Sequence, residues 1–299
     1  RLVFYSSLYF VVADLVKKNV PVAAVAVKTL IFSGIILAVA GFIQLLILPD
    51  FRYFAVEYGW DPHRGRLLST FFDPNFTAAF LVMAVTLIMT RILWEKAKIT
   101  PLIMLAVLLI ALLLTFSRSG WLMMGTVVLV FGVLRVRSLL VIAVVVAFAA
   151  YFFVPRVQTR LSGVTDPADS AHFRVLSWQK TLQIASDYPL TGVGFNNFRY
   201  AQASYGFFDY AAPTGGHAGA GSDSSWLLVL ATTGYPGFFL FVLIYLKLAI
   251  KGWQRRRTVE GLALLAVIAG LAVEANFINS LFYTPITAAF WILAGVVDS

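Results

Sequence analysis

Long apolar runs separated by short polar interruptions dominate the 299-residue chain. With roughly 20 apolar residues taken as one bilayer crossing, the pattern predicts about nine helical spans, over residues 2–16, 20–48, 76–92, 101–115, 121–134, 139–154, 226–250, 262–282 and 284–297. Only Phe116-Ser117-Arg118-Ser119-Gly120 separates the fourth from the fifth, and Gly234-Tyr235-Pro236-Gly237 interrupts the seventh. The exception to the pattern is the long polar stretch 156–222. Within it, Asp169-Ser170 is expected to cap a helix whose apolar stripe is Ala171, Val175, Trp178, Leu182 and Ala185, spaced at the helical period. A glycine-rich turn follows at residues 192–198; with no strand before it, it is not a dinucleotide fingerprint. The pattern therefore predicts an all-α, polytopic transmembrane bundle in one membrane domain. Helices one to six fall in 1–155, a loop with short helices in 156–222, and helices seven to nine in 223–299.

Composition agrees with that class. The chain is 60% hydrophobic and 12% charged, against roughly 45–50% and about 25% in soluble proteins. The net charge of +9 would suggest nucleic acid in a soluble domain, but in a membrane bundle it reads as topology, and no nucleic-acid partner is expected. Alternating the spans gathers Lys17, Lys18, Arg91, Lys96, Lys98, Arg135, Arg137 and the basic residues of 247–257 on one side. The positive-inside rule makes that side the cytoplasm and places the 156–222 stretch outside, away from ATP. Without cysteine, and with His63, His172 and His217 scattered, neither a thiolate site nor a zinc motif is expected. Beginning at Arg1 and ending at Ser299, the chain reads as a piece of a longer protein.

The charged residues on the outer side are the candidates for chemistry. Arg64, Arg66, Arg118 and Arg174 fall near apolar surface, where guanidinium forks can grip a diphosphate bidentately; the plain alternative for Arg118 is a side chain snorkelling to the headgroups. Asp223 stands at the start of the seventh span, either as a general base or as an ordinary helix cap. His217, in the glycine run before it, is a second candidate base or an ordinary loop histidine. Glu274, expected in mid-span with Asn276 and Asn279 nearby, is an intramembrane ionisable group. Such a group suggests function, a proton path, or a polar clasp between helices. Tyr200, Tyr205, Phe207, Phe208 and Tyr210 read as an interfacial belt ahead of a sugar-stacking platform.

Four motifs in this order resemble the O-antigen ligase and O-antigen polymerase family of bacterial membrane glycosyltransferases. They are Gly65-Arg66-Leu67-Leu68-Ser69-Thr70-Phe71-Phe72-Asp73-Pro74-Asn75; Leu114-Thr115-Phe116-Ser117-Arg118-Ser119-Gly120-Trp121; Arg174 and Trp178 with residues 189–198; and Asp223-Ser224-Ser225-Trp226-Leu227 with Gly234-Tyr235-Pro236-Gly237. The resemblance implies a metal-independent, inverting transferase of the bacterial inner membrane with its active site outside and no cofactor. It would move a glycan from an undecaprenyl diphosphate carrier to a hydroxyl of a glycolipid or glycan acceptor, with membrane lipid around it. Arg118 and Arg174 match the donor-binding arginines, with Arg66 and Arg64 beside them; Asn75 and Glu274 are possible supports. The family's basic histidine falls, by register from Gly234, on Asp223, so the base is Asp223 by position or His217 by chemical type. A transporter or lipid-linked glycan flippase, gated at Glu274 and the broken seventh span, is the alternative.

Overall fold

The computed structural model describes residues 2–19, 21–52, 62–94, 98–163, 170–207 and 221–298. Among them the regular elements are helices: α1 (Leu2–Lys18), α2 (Pro21–Ile47), α3 (Pro74–Trp94), α4 (Ile99–Leu114), α5 (Arg118–Leu134), α6 (Ser138–Phe153), α7 (Pro155–Ser162), α8 (Ser170–Asp187), α9 (Phe198–Ser204), α10 (Ser225–Gln254), α11 (Val259–Glu274) and α12 (Thr284–Asp298). Short 3₁₀ turns occupy Ser69–Phe71 and Ser280–Phe282. Every expected apolar run but the eighth lies in a helix, and the all-α class is found. Three helices, α2, α3 and α10, are long and apolar enough to cross a membrane, and α6 with α7, bent by 97°, makes a fourth candidate. α4, α5 and α12 are apolar but shorter.

α3 is the hub, buried along nearly its whole length from Pro74 to Thr90, with α2, α4, α5, α11 and α12 around it. Of its buried hydroxyls, Thr86 donates to the Val82 carbonyl at 2.7 Å and Thr90 to that of Leu87 at 2.9 Å within the helix, while Thr77 donates to the Leu68 carbonyl at 2.6 Å outside it. Enclosure therefore strands none of these donors. Asp73 starts the helix by accepting from the N–H groups of Asn75 and Phe76 at 2.6 and 3.0 Å, with Pro74 supplying a preset φ at the first helical position.

Two expectations change here. The eighth run is not one span: α11 ends at Glu274, and a turn and the 3₁₀ segment follow. Asn276, with its amide on the Ala272 and Val273 carbonyls, lies in that turn, so Glu274 is a helix end and not a mid-span residue. The helix in the polar stretch does begin at Ser170, but its buried face carries Thr181, Ile184 and Ala185, while Val175 and Leu182 are exposed. Asp169 lies outside the described residues.

The break in α10 is a swap of hydrogen bonds. Gly234 alone leaves helical geometry, at φ 66°, ψ −177°, a region open to glycine. Pro236 has no N–H for the Thr232 carbonyl, and Gly194 N–H takes that acceptor at 3.0 Å. Val193 N–H likewise takes the Ala231 carbonyl at 2.9 Å, and the displaced Tyr235 N–H goes to Pro189 O at 2.8 Å. The contact is backbone on backbone: a Cβ at Gly234 would sit 2.5 Å from the Leu190 carbonyl carbon, and one at Gly192 2.3 Å from that of Thr232. The glycine-rich turn is thus stitched into the membrane helix beside it.

Candidate functional site

The first residues of α3, α5 and α10 meet the last residues of α4 and α11 at one end of the bundle, and α7 and α8 lie over them. Helix starts carry unsatisfied N–H groups and partial positive charge, and this end also collects arginines. Arg66 lies within electrostatic reach of Arg160, Asp73, Arg174 and Arg156; Arg174 lies within reach of Asp223, Arg118, Asp73 and Glu274. Carboxylates from three elements and guanidinium groups from four therefore share one neighbourhood.

Most of these arginines are occupied by the protein itself. Arg66 is buried and donates to the Thr115 carbonyl at 2.8 Å and the Phe116 carbonyl at 3.3 Å, closing the C-terminal end of α4 with positive charge. Its third contact is His63 Nδ1 at 3.4 Å. Since arginine only donates, that nitrogen accepts and the proton sits on Nε2, a buried atom with no partner among the described residues. Burial, reinforced by Arg66 and Arg160, pushes the His63 pKa down to about 3, so it is neutral and is no cationic ligand. Arg156 bonds the carbonyls of Gly65 and Arg64 and covers the Phe116 ring at 4.4 Å. Phe116 itself is held at φ 48°, a costly conformation for a bulky residue. Arg118 donates to the Arg160 carbonyl at 3.1 Å and to Ser170 Oγ at 2.9 Å, tying the start of α5 to α7 and α8. Arg64 stands apart: its side chain is 72% exposed and approaches Asp50 at 3.8 Å.

Arg174 differs. Among the described residues its guanidinium makes no hydrogen bond and no ion pair. Burial draws its pKa down, and Asp223 opposes that shift. It belongs to a row on α8, Arg174, Ser177, Trp178 and Thr181, whose spacing puts all four on one face. That row clasps the chain leading into α10. Ser177 Oγ accepts from Asp223 N–H at 3.0 Å, Trp178 Nε1 donates to the Asp223 carbonyl at 3.2 Å, and Thr181 donates to Ser222 Oγ at 3.0 Å. Trp178 also meets the Phe277 ring at 5.8 Å.

The cap of α10 is Ser224, whose side chain accepts from Leu227 N–H at 3.2 Å. Asp223 is therefore not the cap, and its carboxylate is left to face Arg174. Burial raises the Asp223 pKa; Arg174 and the Ser177 hydroxyl pull it back, and Asp73 adds to the rise. Glu274 is fully buried, takes the Ser280 hydroxyl on one oxygen, and has no partner for Oε1 among the described residues. Asn75 accepts from Ser117 Oγ at 2.8 Å, a buried tether between the starts of α3 and α5. His217 lies outside the described residues.

Of the residues singled out from sequence, Arg66, Arg118, Arg174, Asp223 and Glu274 are brought together, and Arg64 is not. Sequence reading had quoted Asp73 only within the first motif and had given Arg156, Arg160 and Ser177 no role. A signal existed for Ser177: it lies three residues after Arg174 and one before Trp178.

These features define a helical membrane protein with a cation and carboxylate site where its helix ends converge. The family model of the O-antigen ligases matches residues 102–242, a segment that contains Arg118, Arg160, Arg174, Ser177 and Asp223. That segment is thus similar to the O-antigen ligase family, the resemblance its motifs had suggested. No curated protein matches the chain.

Proposed function

We propose that the protein is a membrane glycosyltransferase that moves a glycan from a polyprenyl diphosphate carrier to an acceptor hydroxyl on the extracytoplasmic face. The observation that carries this reading is the Arg174 guanidinium, unbonded by the described residues and facing the uncapped carboxylate of Asp223. A cation with free donors fits an anionic leaving group, and a carboxylate beside it fits a proton acceptor. In the reaction the acceptor oxygen bonds to the anomeric carbon as the bond to the diphosphate oxygen breaks. Asp223 takes the acceptor proton, Arg174 stabilises the departing diphosphate, and the surrounding arginines set a positive field. A single displacement inverts the anomeric centre. Arg118, Arg156 and Arg66 act mainly by holding α7, α8 and the Phe116 turn in place.

Purified protein in detergent, given lipid-linked glycan and acceptor, is expected to release free polyprenyl diphosphate as the acceptor gains the glycan. No transfer in detergent, with translocation across sealed vesicles, selects the transporter or flippase instead. A single repeat accumulating on the carrier when the gene is deleted indicates a polymerase, and a full-length chain a ligase. Labelling a cysteine at Tyr205 from outside and one at Arg256 from inside tests the orientation; the reverse pattern overturns the site's placement.

A further inference from the structure

A cavity of about 740 Å³ opens beside the arginine cluster, between the glycine-rich turn, α10 and the start of α12. Its size is within the roughly 300–1,000 Å³ of small-molecule sites. Its lining differs from the cluster's. Among the described residues it contains one cation, Arg199, and no carboxylate, so it lacks both the clustered guanidinium groups a diphosphate would use and any counter-charge for an amine.

What the lining offers instead is neutral polar groups, the hydroxyls of Tyr5, Thr232, Thr284 and Thr287 and the amides of Asn196 and Asn279. Thr232 spends its hydroxyl proton on the Leu228 carbonyl at 2.7 Å, and Thr287 spends its own on the Leu281 carbonyl at 2.8 Å; each oxygen keeps only lone pairs for the cavity. Asn279 also lines the cavity, and its Oδ1 is buried without a partner among the described residues, a state that costs free energy. Neutral hydroxyls and amides of this kind suit a ligand that brings several hydroxyl groups, each able to donate and accept. The rest of the lining is aromatic. Phe195 is 62% exposed at the tip of the turn, its ring 6.3 Å from that of Phe282, which is stacked on Phe241 at 5.9 Å. Rings accept the apolar face of a sugar while acceptors take its hydroxyls.

We propose that this cavity is a saccharide subsite, separate from the arginine cluster, which binds a sugar through Asn279, Thr232 and Thr287 and against the Phe195 and Phe282 rings. Its use in catalysis rests on the transferase reading; the binding of a sugar does not. Gly221, two residues before Asp223, also lines the cavity, so a sugar held there lies next to the proposed base.

The test uses the full chain in detergent with Phe195→Ala and Thr232→Val, one at an exposed tip and one isosteric. In the transfer assay the KM of one glycan substrate is expected to rise about tenfold, or about 1.4 kcal/mol, with kcat little changed. A rise for the acceptor alone assigns the subsite to the acceptor, and a rise for the donor alone assigns it to the donor glycan. Unchanged KM for both in both variants overturns the proposal. If wild type transfers nothing, saturation-transfer NMR with envelope glycan released by mild acid from the cells that carry the gene still decides. Ring-proton signals that weaken in Phe195→Ala and survive added pyrophosphate support the subsite. Their absence in wild type, or abolition by pyrophosphate with no response to either variant, overturns it.

Discussion

Ser177 and Asp223 lock α8 onto the start of α10: the Asp223 N–H donates to Ser177 Oγ at 3.0 Å, and the same hydroxyl draws the Asp223 pKa down against burial. One serine thus fixes both where the carboxylate sits and how readily it ionises. The carboxylate is available because Ser224, one residue on, does the capping.

Ser177→Ala removes that hold without touching Arg174. Losing one hydrogen bond of about 0.5–1.5 kcal/mol should lower kcat by roughly two- to tenfold and leave the donor KM nearly unchanged. Since the hydroxyl lowers the Asp223 pKa, its loss should move the acid limb of the rate profile to higher pH. A variant with wild-type kcat and an unmoved limb would reduce Ser177 to a packing contact.

The arginines should separate by occupation. Arg174→Lys keeps the charge but loses the fork, and is expected to cut transfer strongly while thermal stability holds, since its guanidinium bonds nothing described. Arg66→Lys surrenders bonds to the Thr115 and Phe116 carbonyls and should lower the melting temperature together with activity. Equal losses of stability in the two variants would contradict this division.

Much of this was legible in the sequence. The apolar runs marked the helices, because a bilayer-facing bundle needs long runs whatever their partners. The motif around Arg174 and Asp223 marked the neighbourhood of the site. What the pattern missed depends on packing across distance. Which arginine is free cannot be read without knowing that Thr115 and Phe116 offer carbonyls to Arg66. The face of α8 was misjudged because its Thr181 and Ser177 bind a polar strand of chain, Ser222 and Asp223, and hydropathy does not register such a face. The end of α11 at Glu274 was hidden because apolar residues resume at once in Phe277 and Ile278.

Gly234→Ala tests the seam between the membrane helix and the glycine-rich turn. The added Cβ would lie 2.5 Å from the Leu190 carbonyl carbon, and a backbone at φ 66°, ψ −177°, a region essentially confined to glycine, alone costs roughly 1–3 kcal/mol for another residue. The melting temperature should fall, and protease should cut within residues 189–198 before the rest of the chain. Wild-type resistance there would mean that the seam yields without cost.

Asp223→Asn separates catalysis from stability at one residue. Asparagine keeps the size and can accept from Ser177, but it has no basicity, so turnover should fall by roughly 10²–10⁴ with donor binding little changed. Asp223→His is expected to restore part of the rate, and His217→Gln to be mild. The pH dependence has a definite sign. Burial raises the Asp223 pKa above the ordinary carboxylate value of 3.8, so the wild-type rate should decline with acidification from a pH above that value, and this limb should vanish in the variant. For stability, a carboxyl whose folded pKa is raised favours folding fully only below its unfolded pKa and loses that contribution as pH rises through the folded pKa. At neutral pH the wild type therefore carries a buried charge that asparagine avoids, and Asp223→Asn should melt no lower than wild type near pH 7, with any advantage disappearing in acid. A variant that loses stability at neutral pH while retaining transfer would make Asp223 structural. If His217→Gln then abolished turnover, the histidine would be the base.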